Sequence, residues 1–181
     1  AKLGELTNFK TYYVKFVDTM TNLTYVPNSA SVEIDNTTLT STQYNLTWDE
    51  TSKTLEIEIT DVKKLGATDS SEITVKYNAT LDKNAVIGSA GNPNTAYLIF
   101  SNNPNDGGYG KTAPDKNIVF TYKVDADKVN PEGAKLPGAA FELFKHVKDS
   151  SGNLTWESKG VMNATKDTTT TPNTYTIQDA D

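Results

Sequence analysis

The stretch Val14-Lys15-Phe16-Val17-Asp18-Thr19-Met20 decides the fold class, because apolar side chains recur in it with a period of two. In an extended strand that period places the even-numbered residues on one face. This face is apolar apart from Asp18, which lies in its middle. The stretch therefore predicts a half-buried β-strand that carries a carboxyl group on its core side.

Similar short runs follow along the chain and are separated by clusters of Asn, Pro, Asp, Ser and Gly, which favour turns. A helical period is present only over residues 61–65. The chain is also rich in threonine, which suits half-exposed antiparallel strands. We therefore expect an all-β, sandwich-like fold. The expected strands are residues 12–19, 23–34, 44–48, 54–59, 72–78 and 95–101.

Composition excludes several classes of function. The net charge of -6 makes nucleic acid and anionic membrane unfavourable partners. All 17 basic residues are lysines, so the bidentate clamps that arginine forms with phosphate are absent. There is no cysteine, and therefore no disulfide, thiol nucleophile or cysteine metal site.

The segment 102–111 is too rich in Gly, Asn and Pro to be a core element, and it predicts a domain boundary. We expect a first domain at 1–103, a linker at 104–116 and a second domain at 117–181. The second domain would hold only a few strands, which is marginal for a sandwich. Neither end of the sequence resembles a natural terminus, so we interpret the chain as a segment of a longer protein.

A second unusual polar residue follows the predicted boundary. In the run 119–128, the period of two places Lys128 on the same face as Phe120, Tyr122 and Val124. A buried ammonium group is costly unless it is paired, neutralised or used chemically. The alternative is that Lys128 lies at the strand end and extends its amine to solvent.

Two further polar groups share the core face of the first predicted domain. A carboxyl group held among Val, Phe and Met should have a raised pKa, so Asp18 could donate a proton; alternatively, Asp18 caps the following turn. Asn94 and Asn102 are in line with the apolar residues of the run 95–101. Each could reach the core or cap a strand end.

Other chemistry has little support in the sequence. His146 is the only histidine, so a transition-metal site is not expected, and we place it on the surface. Nucleophile-elbow and phosphate-loop motifs are absent. We expect no cofactor and no metal.

Taken together, these features resemble a backbone pilin, or a related surface adhesin, of Gram-positive bacteria, with immunoglobulin-like domains of the Cna A and Cna B types. The second half is the more specific, since its opening resembles that of a Cna B-type domain. The resemblance covers nearly the whole chain. It rests on residues 16–20 with 23–26, 84–88, 91–98 with 100–104, 127–130 and 135–143.

The resemblance implies two tandem sandwiches that are each stabilised by an autocatalytic isopeptide bond between a lysine and an asparagine. By position, Asp18 would be the acid that promotes the bond in the first domain. Asn94 would be the amide partner there, with Asn102 as the weaker candidate. Lys128 would be the nucleophile of the second domain.

Some parts of the family pattern are missing from the sequence. The lysine of the first domain would precede residue 1, since Lys10 has the right parity but lies on the wrong strand. The acid and the asparagine of the second domain would follow Asp181. Leu136-Pro137-Gly138-Ala139 lacks the threonine of a sorting signal.

The resemblance implies a structural, non-enzymatic shaft subunit in an extracellular, cell-wall-linked pilus. Its partners would be other pilin subunits joined by sortase, with neither nucleic acid binding nor membrane insertion. The alternative is a stalk or ligand-binding module of a cell-wall-anchored adhesin, with a host matrix protein or glycan as its partner.

Overall fold

The computed structural model describes residues 1–105, 107–123, 128–136, 140–167 and 174–177, with backbone only for 162–167 and 174–177. Nearly all of its regular structure is β, which confirms the predicted all-β class. The strands are β1 (Val14–Met20), β2 (Leu23–Tyr25), β3 (Ser31–Ile34), β4 (Thr37–Thr38), β5 (Asn45–Asp49), β6 (Thr54–Ile59), β7 (Ile73–Lys76), β8 (Ala79–Leu81), β9 (Asn92–Ser101), β10 (Tyr109–Lys111), β11 (Asp115–Val119), β12 (Ala140–Lys148), β13 (Leu154–Asp167) and β14 (Thr174–Ile177).

The larger sheet of the first unit is antiparallel and has β1 near its centre. Its order is β10-β9-β1-β6-β5, and β11 also pairs with β9. In this register Asp18 is opposite Leu55 on β6 and Ala96 on β9. Both edges of β1 are hydrogen-bonded, one to β6 and the other to β9.

Two small sheets, β4-β3-β7 and β2-β8, supply the other side of the same core. Residues of all three sheets belong to one buried apolar cluster, including Val14 and Ile57 from the large sheet and Val32 and Ile73 from β3 and β7. The arrangement is a β-sandwich, in which apolar faces from two layers pack together. The predicted helical turn at 61–65 is present as a 3₁₀ turn, Val62–Leu65, and Asp61 accepts a hydrogen bond from the Lys63 amide.

The structure places the boundary between the two compact units after Lys123, later than the sequence predicts. The expected linker 104–116 contributes β10 and the start of β11 to the first unit, and both pair with β9. Position 110 suits a glycine, because an added Cβ atom would lie only 2.8 Å from the Phe100 ring. A glycine that predicts a loop in the sequence is thus used for close approach between strands.

The second unit contains the antiparallel order β12-β13-β14. The expected strand 119–128 is not continuous, because β11 ends at Val119; residues 124–127 lie outside the described part. Lys128 is exposed rather than core-facing, and its carbonyl oxygen accepts a hydrogen bond from the Leu136 amide. His146 lies on the surface, as expected, with its ring stacked on Trp156.

Candidate functional site

Asp18 is the most unusual side chain of the first unit, because it is a carboxyl group that is only 6% exposed. It lies within β1, between the core positions Phe16 and Met20, so it does not cap the following turn. Leu55 and Ala96 are its neighbours across the sheet. The side-chain alternation of β1 therefore directs Asp18 to the interior, as predicted.

Asn94 lies beside this carboxyl group. In the antiparallel register Asn94 pairs with Met20, so it is one step diagonal to Asp18 on the same face. The amide Nδ2 of Asn94 donates a hydrogen bond of 3.1 Å to Oδ2 of Asp18. The structure thus brings together two of the residues that the sequence singled out, 76 positions apart in the chain.

The pair is incompletely hydrogen-bonded. Asp18 Oδ1 and Asn94 Oδ1 are both buried and have no hydrogen-bond partner among the described residues. Burial raises the pKa of Asp18, although the hydrogen bond from Asn94 opposes part of this rise. A carboxyl group with a raised pKa, next to an amide oxygen that lacks a donor, can share a proton with that oxygen.

A cleft of about 580 Å³ lies beside Asp18. Asp18 lines it, and most of the remaining wall is apolar, including Phe16, Leu55, Val75 and Leu98. An apolar wall holds a carboxyl group in its neutral form and disfavours any charged group that enters without a partner. The apolar part of the wall disfavours an ammonium group, whereas the carboxyl groups of Glu72 and Asp115, which also line the cleft, favour one.

The edge of β7 borders the same cleft. Lys2 pairs antiparallel with Glu72, and Ala1 and Ile73 exchange two backbone hydrogen bonds. Within the described residues, β7 has a strand partner beyond Ile73 on only one side, where it pairs with β3. The free side has unpaired backbone groups, and such an edge is a template for another strand.

Asn102 and Lys128 do not join this group. Asn102 is exposed, and its backbone N–H donates to the Gly108 carbonyl oxygen in the connection to β10. Asn94, and not Asn102, is therefore the side-chain amide next to Asp18. Lys128 belongs to the second unit and is exposed there.

Sequence reasoning missed Asn92, a fully buried amide on the same face as Asn94. Its Oδ1 accepts from the Asn22 side chain and the Val86 amide, and its Nδ2 donates to the carbonyl oxygens of Val86 and Val119. These bonds hold the loop before β9 and the end of β11 together. Its parity with Asn94 was the available signal, since residues two apart in a strand share a face.

The described residues contain no group of three or more His, Cys, Asp or Glu side chains placed to hold a metal ion. Among them there is also no helix long and apolar enough to cross a membrane. The site itself consists of the Asp18 carboxyl group, the Asn94 amide and a mostly apolar cleft that Glu72 and Asp115 also line.

The β-sandwich fold of this chain is shared by backbone pilins of Gram-positive bacteria. Comparisons with known proteins confirm the resemblance that the sequence predicts, although no family model matches the chain. Among curated proteins, it is similar to the trypsin-resistant surface T6 protein of Streptococcus pyogenes serotype M6. The two are 33% identical over 94 aligned positions, covering 44% of this chain and 17% of the relative.

Solved structures show the same fold. The T6 backbone pilin of S. pyogenes has a TM-score of 0.54 at 24% identity, covering 85% of this chain and 34% of the pilin. The C-terminal fragment of the major pilin GBS80 of Streptococcus agalactiae gives 0.62 at 21% identity, covering 81% and 56%. The major pilin BcpA of Bacillus cereus gives 0.52 at 17% identity, covering 95% and 53%. The chain thus spans less than two thirds of the length of each of these relatives.

Proposed function

We propose that this chain is part of the shaft subunit of a Gram-positive surface pilus, exposed outside the cell and linked to other pilin subunits. Three of its relatives are backbone or major pilins, and a cysteine-free extracellular shaft needs a stabilising device other than disulfides. The observation that carries the proposal is the buried Asp18–Asn94 pair with its two unpaired oxygens.

In this proposal the first unit forms an isopeptide bond between Asn94 and a lysine. The neutral amine nitrogen attacks the side-chain carbonyl carbon of Asn94, so that a C–N bond forms while the bond to the original amide nitrogen breaks. Protonated Asp18 donates to the Asn94 oxygen and relays one amine proton to the departing nitrogen, which leaves as ammonia. Burial of Asp18 raises its pKa and so favours the protonated form that this role needs, while the hydrogen bond donated by Asn94 keeps the two side chains adjacent but lowers that pKa.

The free edge of β7 suggests where the lysine would lie. Because Ala1 is opposite Ile73, a strand of residues preceding Ala1 would continue antiparallel along β7, with the second residue before Ala1 opposite Val75 and the fourth opposite Tyr77. Both positions share the inward face of Ala1. Since Val75 and Tyr77 line the cleft beside Asp18, we place the lysine at one of these two positions.

For the second unit, only the family resemblance supports Lys128 as the nucleophile, since Lys128 is exposed in the described part of this unit, and its acid and asparagine would lie outside residues 1–181. Covalent closure of each unit would limit the freedom of the unfolded chain, as a disulfide does, and would resist extension by pulling. Each of these bonds would form once and without turnover, so the proposal does not make the protein an enzyme.

The test is the intact mass of a longer form of the protein that includes the residues before Ala1. The first domain should weigh one ammonia less than its sequence predicts, and fragmentation should locate the cross-link at Asn94. Both Asp18→Ala and Asn94→Ala should abolish this loss.

Asn102→Ala is the matched control, because it removes an asparagine of the same strand region that does not contact Asp18. It should leave the mass loss intact. A full-length mass equal to the sequence mass would refute the cross-link, as would loss of the cross-link in Asn102→Ala with retention in Asn94→Ala.

A further inference from the structure

A second cleft, of about 620 Å³, lies near the start of β1. Tyr13, which directly precedes β1, and Tyr109 on β10 form one wall, with their rings in edge-to-face contact at 4.9 Å. Tyr109 is 62% exposed. An exposed, fixed aromatic ring is a common contact surface for ligands, because it offers apolar area at little cost in conformational entropy.

The aromatic wall has a rigid support. The Tyr13 amide donates to the Ser101 hydroxyl at 3.0 Å, and the Ser101 amide donates to the Tyr13 carbonyl oxygen at 3.0 Å. Ser101 is also the register partner of Tyr109. Both tyrosines are therefore positioned by the same residue at the end of β9, which pre-forms the site.

The rest of the lining is polar. Glu58 and Lys10 contribute one carboxylate and one ammonium group, so that their charges balance, and Asn103 and Asn105 contribute amides. Asn103 uses its Oδ1 to accept from the Asn105 backbone amide, which leaves its Nδ2 available as a donor. Burial, followed by interaction with the Glu58 carboxylate, raises the pKa of Tyr13.

We propose that this cleft binds a neutral saccharide, with the apolar face of one sugar ring on Tyr109 and the sugar hydroxyls hydrogen-bonded to Glu58 and the asparagine amides. A sugar ring combines an apolar face with many hydroxyls, which matches an aromatic wall beside mixed donors and acceptors. The balanced charges favour a neutral sugar over an acidic one. The proposal is independent of the cross-link, since none of these residues contacts Asp18 or Asn94.

The experiment is saturation-transfer NMR on residues 1–181 with lactose, maltotriose and mannotriose as separate probes. At least one should receive saturation and shift the ring signals of Tyr13 and Tyr109. Tyr109→Ala should weaken binding about tenfold or more, the loss expected for one aromatic contact. Tyr109→Phe keeps the ring and should bind within about twofold of the parent.

Tyr122→Ala is the matched control, because Tyr122 is 75% exposed and does not line the cleft. It should bind as the parent does. The proposal is overturned if none of the three probes binds, or if Tyr122→Ala loses as much binding as Tyr109→Ala. Tighter binding of 3′-sialyllactose than of lactose would overturn the assignment to a neutral sugar.

Discussion

At the scale of single residues, the site depends on Asp18, whose buried carboxyl group accepts one side-chain hydrogen bond within the described residues. Its pKa is raised in the folded protein, so the folded state binds a proton more tightly than the unfolded state does. The contribution of Asp18 to the free energy of unfolding therefore falls as the pH rises from the unfolded pKa, about 3.9, through the higher folded pKa.

We expect Asp18→Asn to remove this pH dependence in residues 1–181. Relative to the parent, the variant should gain stability across that pH window, by about 1.4 kcal/mol for each unit by which the folded pKa exceeds the unfolded one. Urea unfolding measured from acidic to neutral pH tests the prediction, and a stability difference that does not change with pH would contradict it.

Asp35→Asn is the matched control with the opposite sign. Hydrogen bonds from the Ser71 hydroxyl and the Glu72 amide lower the pKa of Asp35. The parent should therefore gain stability over Asp35→Asn as the pH rises through the lowered folded pKa toward the unfolded value, the reverse of the Asp18 series.

At the scale of elements, β11 depends on Gly91, the residue before β9. Gly91 has a φ of +62°, and a Cβ atom there would lie 2.4 Å from Cγ2 of Ile118 and 2.9 Å from the Phe120 ring. Both distances are below van der Waals contact. The end of β11 can therefore pair with β9 only because residue 91 has no side chain.

Gly91→Ala should destabilise the first unit by about 2–3 kcal/mol, of which about 1 kcal/mol comes from the left-handed backbone. Gly88→Ala is the control, since Gly88 has a φ of +97° but an added Cβ would contact nothing within 4 Å. It should lose only the backbone contribution in urea unfolding. If the two variants lost equal stability, the proposed close contact between residue 91 and the end of β11 would be wrong.

Ile118→Ala in the Gly91→Ala background supplies a second check on this element. Removing the Cγ2 methyl group removes the shortest clash, so the double variant should recover part of the lost stability. Additive losses would contradict the proposed contact.

Strands whose buried and exposed residues alternate were predicted more accurately than strands that are mostly exposed. Strand β6 was predicted to the residue because Leu55, Ile57 and Ile59 alternate with polar residues. The run 23–34 was predicted as one strand but is split into β2 and β3, with Pro27 and Asn28 at the break. Strand β10 and the start of β11 were not predicted, because their residues are mostly exposed and have the composition of a loop.

At the scale of the whole molecule, the two units differ in how much of their surface is buried. The first unit has a core of fifteen buried apolar residues. In the second unit, the side chains described in β12 and in β13 up to Val161 are mostly exposed. Local opening requires less free energy where few apolar contacts are lost.

We therefore expect hydrogen exchange in residues 1–181 to be slower in β1 and β6 than in β12, by about a hundredfold, or about 2.7 kcal/mol. Deuterium uptake of the corresponding peptides, normalised to the urea-unfolded chain, measures this difference. Equal protection of β1 and β12 would contradict it.

The sequence by itself determined the all-β class, the inward direction of Asp18 and the family resemblance. Alternation with a period of two is a local property, and the motifs lie within short stretches. Only the tertiary structure decided that Asn94, rather than Asn102, meets Asp18, that Lys128 is exposed, and that two strands extend the first unit past residue 103. These outcomes depend on strand register and on contacts between distant residues, which a pattern along one strand does not contain.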